Sequence, residues 1–227
     1  MSVKAYVPIQ NYPEEEIVIA GRKEKASALS SAEVQAFVTQ LDAIIHSQQC
    51  PVVKDIIARN ARLLLDAIRV VNINTKQGFK GFAARGSELE INYVRPKTFN
   101  KTTWLQSIAS AGTVSWLAET KALEEEALVI LGWIDPIEVP KIDAVLYTKD
   151  GDPLPAQTLP FEVRDAFGTI KTPVVEQKLP ITVLPEHKIK IDMNAFATGD
   201  DKIQPIAFHI RKAADFMTLP GPIFGTA

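Results

Sequence analysis

Residues 128–134, Leu-Val-Ile-Leu-Gly-Trp-Ile, carry no polar side chain on either face. A strand sends successive side chains to opposite faces, so such a run must be covered on both sides. The apolar run from Ala127 to Ile134 is strand-sized and far short of the ~20 apolar residues that span a bilayer. It is therefore expected as a central strand inside a folded domain. The rest of the chain can bury it: of 227 residues, 46% are hydrophobic and 23% charged, the balance of a globular chain rather than a disordered or fibrous one. This length suits one domain, or one domain with an appendage.

The region around that run alternates with the two-residue period of strands. Ile189, Ile191, Met193 and Ala195 fall on one face, Lys188, Lys190, Asp192 and Asn194 on the other. Ile206, Phe208 and Ile210 alternate in the same way, as do Leu159, Phe161 and Val163. Lys149-Asp150-Gly151-Asp152 is a hairpin signal after Ile142–Thr148. Further strands are expected at 88–94, 113–119, 172–177 and 180–184. Eleven of the 15 prolines lie after residue 135. Many short strands punctuated by turns predict an antiparallel sandwich, with the eight-stranded jelly roll preferred and an immunoglobulin-like order left open.

The N-terminal third has a different period. Val34, Phe37, Val38, Leu41, Ile44 and Ile45 follow helical spacing, and Ser30 with Glu33 forms a capping-box pattern. Pro51 suits the first turn of a second helix, expected to run to about Val71. The fold class is thus α+β and mainly β. An extended arm (1–29) precedes a helical hairpin (30–72), a linker loop (73–87), a β-sandwich (88–212) and a C-terminal tail (213–227). The proline-bearing ends and the amphipathic hairpin are expected to bury themselves against neighbouring copies. Val7, Ile9, Ile17, Ile19, Phe37, Leu41, Ile223 and Phe224 are the expected assembly contacts.

Charge and chemistry give fewer leads. With 25 Lys plus Arg against 27 Asp plus Glu the net charge is −2, so bulk charge does not hold nucleic acid. The segment 59–101 is locally basic. Its Arg59, Arg62, Arg69, Lys76, Lys80 and Arg85 are candidate contacts for nucleic acid or an acidic partner, against the reading of a solvated helix face plus linker. One cysteine cannot form an internal disulfide, and Cys50 beside Pro51 reads as structural rather than nucleophilic. Gly199-Asp200-Asp201 and Asp150-Gly151-Asp152 read as polar turns rather than metal sites. His46, His187 and His209 lack a clustered ligand spacing, and His209, out of phase with Ile206, Phe208 and Ile210, is assigned to the polar face. No cofactor, metal site or enzymatic activity is expected. Trp116 and Trp133, set among aliphatic residues, belong in the core.

Glu125–Pro136, Gly151–Pro155, Leu184–Ile191 and Gly199–Ile203 together resemble the sandwich portion of jelly-roll coat proteins of icosahedral viruses, over about residues 88–212. That resemblance implies a capsid or vertex protein whose arms and tails lock neighbouring subunits. It implies as partners further copies of the chain and other coat proteins, and carries over no catalytic residue. The helical hairpin is not a general part of that family's pattern. The expectation is a self-assembling coat component, made in a host cytoplasm without a signal peptide or transmembrane segment and located in the virion. The alternative is a sandwich that recognises glycan or protein, with Trp104, Trp116 or Trp133 stacking on sugars. An enzyme built from scattered carboxylates is the third reading.

Overall fold

A computed structural model describes residues 15–19, 22–26, 31–78, 89–136, 140–159, 174–212 and 224–225. In chain order they form β1 (Glu15–Ile19), β2 (Arg22–Ala26), α1 (Ser31–Ser47), α2 (Pro51–Arg59), α3 (Ala61–Gly78) and β3 (Leu89–Tyr93). A 3-10 turn (Pro96–Phe99) leads to β4 (Leu105–Ile108), β5 (Gly112–Lys121), β6 (Ala127–Ile134) and β7 (Ile142–Lys149). The short β8 (Asp152–Pro153) and β9 (Gln157–Thr158) follow, then β10 (Val174–Val183), β11 (Lys188–Ala195), β12 (Gly199–Lys202) and β13 (Gln204–Lys212).

One sheet has the order β10-β6-β13-β3 and the other β5-β11-β7-β8, with β9 also on β7. Every pairing is antiparallel. Successive long strands β5, β6 and β7 alternate between the sheets, as do β10, β11 and β13, which is the jelly-roll order. The chain is α+β and mainly β, as its periods predict.

β6 is buried along nearly its whole length, and each face has its own cover. Ala127, Val129 and Leu131 join Ile206, Phe208 and Ile210 of β13 beneath the helices, against Ile56, Ile57, Leu64 and Leu65. Leu128 and Ile130 face the second sheet, where Val145, Tyr147, Ile189, Ile191 and Met193 complete the other core. The register slips at Leu131, because Ile206 pairs Gly132 while Ala207 pairs Ile130. That bulge swings Trp133 into the inter-sheet core. Gly132 sits so close to β10 that a Cβ would lie 2.5 Å from the Val175 carbonyl oxygen.

The helices differ from expectation in two respects. The second does not run unbroken to Val71: it stops at Arg59, and α3 continues to Gly78. Asn60 causes the break, since its side-chain amide donates to the Ile56 carbonyl (2.9 Å) in competition with the helical ladder. The same amide reaches Glu176 on β10 (3.5 Å). The described part of the helical stripe is also largely covered by the chain itself. Leu41, Ile45, Val53, Ile68 and Val71 are buried in the chain's own helix–sheet core. α1 further covers an open edge, as the Ile91 amide of β3 donates to Gln40 Oε1 (3.1 Å).

Two sheet segments differ from expectation. Gly199-Asp200-Asp201, read as a polar turn, opens β12, which pairs with β4. Asp201 is fully buried there and accepts from the Lys141 and Ile142 amides at 2.7 and 3.1 Å. The expected strands at 172–177 and 180–184 are one strand, β10, with a register shift between Glu176 and Ile181. The alternating Phe161 and Val163 lie outside the described residues.

Candidate functional site

Among the described residues, the most concentrated buried polar chemistry surrounds Glu126, the residue just before β6. The Leu123–Glu126 turn is closed twice, by the Glu126 amide on the Leu123 carbonyl (3.3 Å) and by the Leu123 amide on Glu126 Oε1 (2.7 Å). The carboxylate is thereby aimed inward and has no solvent exposure. Its Oε2 meets His209 Nε2 at 2.8 Å and Arg211 at 4.0 Å. Its Oε1 also accepts the Gly225 amide at 2.7 Å. Buried charge is tolerated only when paired and hydrogen-bonded, and Glu126 meets both conditions. His209 is therefore not on a solvent face as its phase suggests. β13 lies between β6 and β3, with helices on one side and the second sheet on the other, so both its phases are interior.

An aromatic box adjoins this clasp. Phe99 lies 5.3 Å from Trp116 and 6.0 Å from Phe224, centroid to centroid. Trp104 stacks on Trp116 at 5.8 Å, and Trp116 meets Trp133 edge-on at 5.2 Å. Phe224 also stands edge-on to His209 at 5.7 Å. Lys101 Nζ lies 5.0 Å over the Trp116 ring, and burial pushes its ammonium below the usual lysine range. All three tryptophans are buried. Trp116 and Trp133 lie in the core as their neighbours predict, and the three rings do not form the surface platform of the sugar-binding alternative.

Between the sheets, Trp133 Nε1 donates to the Tyr147 hydroxyl (2.7 Å), which donates to Gln177 Oε1 (2.8 Å). Burial pushes the Tyr147 phenol well up from 10.0, while the Trp133 and Gln177 bonds pull it partway back. Burial likewise raises Tyr93 to about 12. At the surface, Asp150 receives the Lys188 amide (2.7 Å) and lies 2.6 Å from His187. Slight burial raises its carboxyl, but the Lys188 amide, the His187 bond and nearby positive charge outweigh that, so it falls below its ordinary 3.8.

The sequence-based contacts scatter. Leu41 and Phe224, expected to meet other copies, are both buried within this chain. Ile17 and Ile19 stand in β1, Phe37 in α1 and Lys76 in α3. Val7, Ile9, Ile223, Lys80 and Arg85 lie outside the described residues. Among the basic candidates, Arg59 is bound by Asp55 (2.9 Å) and Glu176 (2.8 Å) and Arg69 by Asp66 (2.9 Å), while Arg62 is exposed. Such pairing lowers the positive field a phosphate backbone would meet. Cys50 is part-buried against the helix–sheet core, where it precedes α2. Among the described residues no group of three or more His, Cys, Asp or Glu is placed to hold a metal, and no helix is long and apolar enough to cross a membrane.

Fold and clasp together define a jelly-roll sandwich with a helical layer on one sheet and a C-terminal dipeptide seated at its edge. No family model and no curated protein sequence matches the chain. Solved structures that resemble the chain weakly include two from bacteria. One is dimeric latent PorU from Porphyromonas gingivalis, at 13% identity and TM-score 0.25, over 55% of this chain and 12% of that one. The other is a family 35 carbohydrate binding module from Clostridium thermocellum, at 10% identity and TM-score 0.22, over 55% of this chain and 92% of that one. Neither likeness is close enough to bear on function.

Proposed function

We propose that this protein is a self-assembling structural component, a coat subunit of a virion. The observation that carries this reading is the β1–β2 ribbon. Among the described residues β1 pairs with β2 alone, and the ribbon joins neither sandwich sheet. A two-stranded ribbon by itself is marginal in water, and the edge of such a ribbon is where another chain can add a strand. α1 lies against β1 and sets the ribbon beside the sandwich. The jelly-roll strand order agrees with the coat-protein resemblance, an analogy of fold that adds weight without defining a function. Other coat proteins and nucleic acid are partners of this reading only, and among the described basic side chains exposed Arg62 is a candidate contact for the latter.

Assembly is tested by sedimentation velocity and negative-stain electron microscopy on the full chain and on residues 27–227. The full chain is expected to form large particles of uniform size. The shortened chain is expected to stay small while keeping its far-ultraviolet circular dichroism. A full chain, intact by mass spectrometry, that stays monomeric across a wide concentration range overturns the proposal.

A further inference from the structure

Lys101 rises from a turn whose backbone is fixed. The Asn100 amide donates to the Lys97 carbonyl (3.2 Å) and the Lys101 amide to the Pro96 carbonyl (3.0 Å). Asn100 takes the left-handed conformation, φ 58, that closes a helical turn. The Lys101 side chain is thereby laid across β5, with Nζ 5.0 Å over the Trp116 ring. That ring is held in place, since it is buried, stacked on Trp104 and met edge-on by Phe99. Lys101 is half-buried, while Asn100, Thr102 and Thr103 beside it are exposed, so a small reagent reaches the amine.

Charge compensation separates Lys101 from other lysines of the chain. Lys121, Lys188 and Lys190 lie against the carboxylates of Glu186, Glu119 and Asp192 respectively. Among the described residues no carboxylate stands within ion-pair distance of the Lys101 ammonium. Its own turn offers only Arg95 and Lys97, both positive, and no charged residue follows until Glu119. β5 beneath it carries Glu119 and Lys121, which are committed to Lys188 and Glu186. An aromatic face favours the cation, whereas burial strips its water and favours the neutral amine. Burial is the larger effect, since the ammonium falls below the usual lysine range. A lysine nucleophile acts as the free amine, and an apolar setting is one way in which proteins supply it.

We propose that Lys101 is a site of acyl transfer, taking acyl groups from activated thioesters onto Nζ. The Nζ lone pair attacks the thioester carbonyl carbon, the C–S bond breaks and the sulfur leaves as thiolate. The nitrogen gives up one proton to that thiolate, so the products are an Nζ-acyl lysine and a free thiol. The acyl amide carries no charge, and the half-buried position that penalises the ammonium therefore suits the product. This inference stands apart from the assembly reading and does not depend on it.

The test treats the full chain at pH 7 with a limiting amount of the acetyl thioester of N-acetylcysteamine. The chain is then unfolded and every remaining amine is acetylated with a deuterated reagent. Light-to-heavy ratios from mass spectrometry give the occupancy of each lysine. Lys101 is expected to exceed the exposed Lys97 and Lys202 in occupancy, and its rate to begin rising at lower pH than theirs. In concentrated urea the three are expected to react alike. Lys101→Arg, which keeps a cation over Trp116, is expected to lose the fast phase of thiol release and to keep its midpoint in urea unfolding. Occupancy at Lys101 equal to or below that at Lys97 in the folded chain overturns the proposal. So does a preference that survives in urea, or a fast phase that survives in Lys101→Arg.

Discussion

Replacing Tyr147 with Phe tests whether the two sheets are tied by a hydrogen-bond chain or merely pressed together. The change keeps the ring and removes one oxygen. Trp133 Nε1 then loses its acceptor and Gln177 Oε1 its donor. All three residues are buried, with Tyr147 only 2% exposed, so water does not readily replace the lost partner. Each orphaned buried group costs about 1–3 kcal/mol, so Y147F, which orphans two, should destabilise by roughly 2–6 kcal/mol. In a chain of this size a loss of ~3 kcal/mol lowers Tm by about 6–12 °C. The assay is urea unfolding at fixed protein concentration, with calorimetry alongside. The double variant Y147F/Q177L should lose less than the sum of its single changes, because it removes polar groups at both ends of one bond. A Y147F loss below ~0.5 kcal/mol would refute the reasoning, since an intact bond chain cannot be that cheap to cut. The sign with pH follows from the raised phenol. Stability from Tyr147 is fully present below its unfolded value of 10.0 and is lost as pH rises above it. Y147F should therefore show a shallower alkaline loss than wild type.

Glu126→Ala removes the shared partner of His209, Arg211 and Gly225 and should cost about 3–5 kcal/mol in urea unfolding, the range for breaking a buried pair; a loss under ~1 kcal/mol would count against the clasp. Leu131→Ala beneath the helices should cost about 2–5 kcal/mol, whereas Leu179→Ser, at 62% exposure, should stay within about 0.5 kcal/mol of wild type. Equal losses would show the burial pattern to be wrong. The depressed Asp150 carboxyl gives stability that is present above its unfolded value of 3.8 and lost as pH falls through its lower folded value. Asp150→Asn should flatten the acid limb of the stability curve, only slightly because the pair is well exposed; an unchanged limb would mean that the His187 and Lys188 contacts do not persist in solution.

Most of the sandwich was legible because burial on one or two faces writes a period into the residues. β11 alternates cleanly and β6 is apolar throughout, and both lie where those patterns place them. β4, β8 and β12 were not legible: they are two to four residues long, and β12 is Gly-Asp-Asp-Lys, a composition shared with turns. The break at Asn60 was hidden because apolar spacing continues on both sides of it. The clasp was missed for a topological reason. Glu126, His209 and Gly225 are distant in sequence, and only the pairing of β13 with β6 brings them together. A signal did exist: a carboxylate directly before the apolar run, and His209 with Arg211 on the second phase of a strand whose first phase carries Ile206, Phe208 and Ile210. Reading that second phase as solvent-facing assumed a sheet with one open face, which β13 does not have.

The placement of β6 has a consequence during synthesis. Its two ladder partners, β10 and β13, both emerge from the ribosome after it, and β13 begins about seventy residues later. At about 5–20 residues per second, the most water-averse strand of the protein waits roughly 4–14 s for its final neighbour. Until then it is a sticky segment with one ladder side open, and the nascent chain is prone to clumping before β13 arrives.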